Sequence, residues 1–143
     1  MRVLHYGYVV LLGAIACRGG EPAATADSRT PLPVPAEAAS AVRAEMRTML
    51  SSLQAILVAL PARDTTAVRV AATAAGMAAA ADAALESLLP EPFLHLGVAT
   101  HQGFDSLAVS ATRGLPTDSI VARLGRVTAN CIACHGQYRL VVN

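Results

Sequence analysis

Along the first half of the chain, Val42, Met46, Met49, Leu53, Ile56 and Leu60 recur at alternating steps of four and three. That spacing predicts a helix from about Pro35, tolerated in a first turn, to Leu60, where Pro61 stops it. Its apolar seam is suited to packing on other helices, with Arg43, Glu45 and Arg47 turned away from the centre. A second helix is predicted after Asp64, an N-cap for "TTAVRV", and through an alanine-rich stretch to Leu89. "PEP" at 90–92 separates it from a third helix with an apolar face of Phe93, Leu96, Thr100, Phe104, Leu107 and Ala111, ended by Gly114. "LPTDS" opens a fourth, whose inner face carries Ile120, Leu124, Val127, Cys131 and Cys134. Each helix would be about 35 Å long at ~1.5 Å per residue. The connections are short, which forces neighbours to run antiparallel. The expected fold is all-α, an antiparallel up-down-up-down four-helix bundle.

Composition agrees with that class. The 143 residues make one domain, rich in alanine, without lysine or tryptophan and with few aromatics. Alanine, leucine and arginine form helices readily, and β-branched and aromatic residues are too sparse for a large sheet. The formal charge of +1 includes Arg2, so a chain that loses its N-terminus is near neutral. Charge therefore offers nothing to a nucleic acid.

The N-terminal seventeen residues, "MRVLHYGYVVLLGAIAC", run from one basic residue through an apolar stretch to small residues. This is the layout of an export signal, too short to span a bilayer stably. Ala14-Ile15-Ala16 fits ordinary signal cleavage, whereas cleavage before Cys17 fits a bacterial lipoprotein, in which that cysteine is acylated. The following "RGGEPAATADSRTPLPVPAE" has no apolar periodicity and reads as a tether. The expected organisation is a signal over 1–16, a flexible tether over 17–34 and a helical domain over 35–143. Lipidation would give Cys17, the odd cysteine, a role, and would place the protein in the periplasm, held to a membrane.

The other two cysteines stand in "CIACH", Cys131 to His135. This is the attachment pattern of haem c. Two thiols one helical turn apart can each form a thioether with one vinyl group of a porphyrin, and the adjacent imidazole can then bind the iron. Such attachment occurs outside the cytoplasm, which agrees with export. Three other roles compete. A thioredoxin-like dithiol would follow a strand and open a helix, a Cys131–Cys134 disulfide would leave His135 without a task, and zinc would need a fourth ligand. His95 and His101, on another helix, are expected to be solvated rather than to act as ligands.

Taken together, these residues resemble the cytochrome c′ family, four-helix-bundle class II c-type cytochromes, and the related periplasmic b-type bundle. "CHGQYR" is similar to the family's ending, with Tyr138 and Arg139 three and four residues after the haem histidine. "HQGFDSL" (101–107) and "AEMRTMLSSLQAI" (44–56) are similar to the third and first helices of the b-type bundle. The resemblance spans about residues 36–140. It implies one covalent haem near one end of the bundle, with His135 as the proximal ligand. It also implies Met46, with Met49 one turn further, as the distal ligand of low-spin members. Phe104 would pack on neighbouring side chains or the porphyrin edge, and Arg139 or Arg43 would neutralise propionates.

The function expected from this ligation is single-electron transfer with redox partner proteins, not enzymatic turnover, since no second catalytic constellation is visible. His/Met coordination raises the potential and leaves no open position on the iron. Were the sixth position empty, the protein would instead bind nitric oxide or carbon monoxide. Without haem it would be an exported helical interaction domain. Many cytochromes c′ pair as homodimers, and the resemblance carries that option here.

Overall fold

In the computed structural model the described residues are 26–80 and 83–143. The expected export signal, Cys17 and the first part of the expected tether lie outside them. The chain is mostly helical, with one small sheet. Its elements are β1 (Thr30–Val34), α1 (Ala36–Ala59), α2 (Thr65–Thr73), α3 (Ala83–Glu86), α4 (Glu91–Thr112), α5 (Thr117–Gln137) and β2 (Tyr138–Val142).

α1 begins behind Pro35 and ends just before Pro61, as the apolar seam and the proline require. Its exit is closed by the Asp64 N–H donating to the Ala59 carbonyl at 3.2 Å. Arg63 between them takes a left-handed φ of 53°, a position that favours glycine. Asp64 caps α2 as expected: its carboxylate accepts the Ala67 N–H at 2.9 Å. α4 stops at Gly114, whose φ of 64° is free of cost without a Cβ, and Leu115 N–H returns to the Ser110 carbonyl at 3.1 Å.

The second helix does not run on to Leu89. α2 ends at Thr73, a 3₁₀ turn covers Met77–Ala79, and α3 is a single turn. Groups on α4 take over the peptide bonds that would have continued α2. The Asp105 carboxylate accepts the Met77 N–H at 3.2 Å, and the His101 ring bonds the Ala75 carbonyl at 2.8 Å. Gly76 makes this approach feasible, because a Cβ there would stand 2.0 Å from an Asp105 carboxylate oxygen.

α4 is the hub. It packs on α2 and α5, while α1 packs on α2. At Gly103 the approach of α5 is close enough that a Cβ would meet Val127 Cγ2 at 2.6 Å. The main core joins Ile56, Val68, Phe104, Leu107, Leu124 and their neighbours. Fully burying a side chain such as Phe104 contributes about 1.5–3 kcal/mol. A second cluster gathers Leu32, Val42, Leu85 and Phe93 at the other end, where Phe93 meets Tyr138 edge to face at 5.6 Å.

The sheet corrects the domain boundaries. Residues 30–34, expected within the flexible tether, form β1 and pair in parallel with β2, Thr30 opposite Tyr138 through Val34 opposite Val142. Leu32 and Val34 are buried on one side, and Pro31 and Pro33 are exposed on the other. The Val34 carbonyl accepts from Asn143, so the alternate prolines fall on the outer edge, where no donor is missed. The folded domain therefore starts near Thr30 rather than at 35.

Candidate cofactor-binding site

α1 and α5 scarcely touch each other, although α1 is fixed to α2 and α5 to α4. The space between them is an open cavity of about 440 Å³, walled almost wholly by apolar atoms. That size is in the range of cofactor pockets, about 300–1,000 Å³. The half-buried middle of the α1 seam, Met46, Met49 and Leu53, forms one wall. Cys131, Cys134 and His135 form another from α5, and Phe104 on α4 closes the floor.

The α5 wall follows from helical spacing. Cys131 and Cys134 are one turn apart, continuing the buried stripe of Leu124 and Val127, and both are half-buried free thiols. The Cys131 thiol faces the Val127 carbonyl at 3.6 Å. Burial raises the pKa of both thiols, and for Cys134 the nearby Cys131 adds to the rise. His135 is exposed at the rim, where the helix ends, and its carbonyl accepts from Arg29 at 3.4 Å.

Behind the cavity lies a polar connection that the spacing argument missed. His101 is only 3% exposed, contrary to the expectation of a solvated ring. Its Nδ1 donates to the Ala75 carbonyl at 2.8 Å, and its Nε2 meets a Glu45 carboxylate oxygen at 2.5 Å. The Glu45 hydrogen bond raises the His101 pKa against the opposing effect of burial. Glu45 therefore does not turn outward. It lines the cavity next to Met46 and ties α1 through α4 to the end of α2.

The remaining candidates fall elsewhere. Arg139 sits half-buried in β2, outside the cavity; its Nε is 3.7 Å from Asp27 and has no hydrogen-bond partner among the described residues. Asp27 is held at about 2, chiefly by its hydrogen bonds from Arg29. Arg43 is exposed and off the lining, and His95 is exposed beside Glu91 at 3.4 Å. The arginine at the cavity is Arg47. Its signal was present in its place beside Met46, at the edge of the seam.

Among the described residues no three His, Cys, Asp or Glu side chains gather as a bare metal ion requires. A porphyrin brings four nitrogens of its own and needs one protein ligand on a face. The donor set therefore fits haem: paired thiols and an imidazole on one wall, two thioethers on another, and an apolar space between. Comparison with family models, with curated proteins and with solved structures gives no match. Among the described residues no helix is long and apolar enough to cross a membrane.

Proposed function

We propose that this chain is an exported monohaem c-type cytochrome that carries single electrons, its helices arranged as an antiparallel up-down-up-down bundle. One observation carries the reading: the apolar cavity gathers Cys131, Cys134 and His135 from α5 with Met46 and Met49 from α1. When bound, haem supplies an iron that gains and loses one electron. Cys131 and Cys134 would hold the group through thioethers, and His135 would ligate its iron. Met46, ahead of Met49, would offer its sulfur to the iron from the α1 wall. Phe104 and Leu53 keep water from the buried side. Arg47 replaces Arg43 and Arg139 as the cation for a propionate. The Glu45–His101 hydrogen bond positions the α1 turn that carries Met46. Lipidation at Cys17 would keep the protein in the periplasm at a membrane, within reach of redox partner proteins.

The test is a visible spectrum of protein matured in a host that attaches haem c, oxidised and reduced, with and without carbon monoxide. The expected result is a covalently retained haem, low-spin and slow to bind carbon monoxide. Met46→Ala should turn it high-spin and remove the methionine-to-iron band near ~695 nm. A wild-type protein that is already high-spin points to gas binding, and a colourless one to a haem-free interaction domain.

A further inference from the structure

The parallel pairing of β1 with β2 decides where the tether leaves the domain. β2 begins directly after α5, three residues beyond His135, and its first residue, Tyr138, lies opposite Thr30, the first of β1. Just upstream, Arg29 donates to the His135 carbonyl, and Asp27 bridges Arg29 at 2.8 Å and Arg139 at 3.7 Å. The chain thus enters the fold beside the cavity, at the opposite end of α5 from Thr117. The 21 residues of α5 separate these ends by about 30 Å. Large apolar side chains are exposed at the cavity end: Ile132, between the two cysteines, is 74% exposed, and Leu50, on the lining, is 66% exposed.

Nine residues lie between Cys17 and Asp27, which are joined by ten peptide steps. Fully extended they reach at most about 35 Å, and as a flexible coil they average about 17 Å. A tether this short, rooted at the cavity, keeps the cavity near whatever surface holds Cys17.

From this we infer that the rim around Ile132, Leu50 and His135 is a docking face for a membrane protein, a one-electron donor or acceptor whose redox group lies near the same membrane surface. The inference rests on the haem and lipidation readings above and adds the class of partner. Clamping the tether root beside His135 raises the concentration of this face at the membrane and keeps the Thr117 end farther out. A freely diffusing partner would gain nothing from that placement.

The experiment uses the full lipidated holoprotein in vesicles of phosphatidylethanolamine and phosphatidylglycerol that carry a headgroup-linked quencher. A dye is attached through Gln137→Cys at the cavity end or Thr117→Cys at the far end, both exposed positions. The Gln137 dye should be quenched several-fold more than the Thr117 dye. In a second arm, oxidised protein is mixed with NADH-energised membrane vesicles from cells that naturally produce it. A Gly/Ser insertion after Gly20 that trebles the tether should slow reduction about fivefold, by the −3/2 power of linker length. Reduction by soluble ascorbate should not change. Equal quenching at the two positions, failure to enter vesicles, or a vesicle rate indifferent to tether length would each overturn the inference. The colour of the same samples reports separately on the haem reading.

Discussion

The bond between His101 and Glu45 is the contact whose removal should be felt most. The His101 side chain is 4% exposed and the Glu45 side chain 19% exposed, so both groups have left most of their water behind. Taking one partner from a buried pair costs about 3–5 kcal/mol, and partial solvation of Glu45 places this pair near the lower end. His101→Ala also strips the Ala75 carbonyl of its donor, worth about 1–3 kcal/mol. A total loss of about 4–6 kcal/mol is expected. Glu45→Gln keeps an acceptor oxygen and loses only the charge, and should cost about 1–2 kcal/mol. The pH dependence has a definite sign. The folded-state pKa of His101 is raised, so with Glu45 ionised the pair contributes fully below about pH 6.5. That contribution fades as pH rises through the higher folded value. Urea denaturation of wild type and Glu45→Gln at pH 6 and in alkaline buffer reads the effect directly. The gap should be largest at pH 6 and shrink with alkalinity. A gap that widens with pH, or a Glu45→Gln protein as stable as wild type at pH 6, would refute the argument.

Other consequences are simpler to state. Gly103→Ala drives a Cβ to 2.6 Å from Val127 Cγ2 and should destabilise by about 1–3 kcal/mol in thermal melts, despite alanine's better helix propensity. Val34→Ala should cost about 2 kcal/mol, because Val34 is fully buried, whereas a truly flexible tether would show no change on denaturation. Arg63→Gly relieves a left-handed φ and should raise the melting temperature by a few degrees, for about 1 kcal/mol. In protein made without haem, burial should make Cys131 and Cys134 alkylate more slowly than a model thiol at the same mildly alkaline pH, as followed by mass spectrometry.

The helices were legible where a single periodicity spoke. The inner face of α4 from Phe93 to Ala111 and that of α5 from Ile120 to Cys134 lie where a 3.6-residue repeat places them. Two features were hidden for different reasons. The alanine-rich stretch after Thr73 has helix propensity throughout, and only contacts from Asp105 and His101, distant in sequence, break it. Local propensity gives way to tertiary hydrogen bonds there. β1 was obscured by Pro31 and Pro33, which read as tether, although their alternation with Leu32 and Val34 is the period-two signature of an edge strand. His101 is polar, yet its position along α4 places it inside. It stands three residues before Phe104 and eight after Phe93, on the inward face of α4.

The sheet and the His101–Glu45 bond also explain why a cavity exists at all. Helices that bury apolar seams normally close on each other, and the α1 seam would gain from packing on α5. Here α1 is held elsewhere along its length. At its start it follows the sheet, which ties β1 to β2 at the end of α5, and in its middle Glu45 is bound to His101 on α4. Just beyond Glu45, Met46, Met49 and Leu53 face α5 across a gap that their own side chains do not fill. A gap with apolar walls is costly to leave to water, so the fold gains stability from an apolar occupant. The cysteines that line the gap provide a means of keeping such an occupant. Loss of the Glu45–His101 bond should therefore weaken the site as well as the fold, by letting α1 close toward α5.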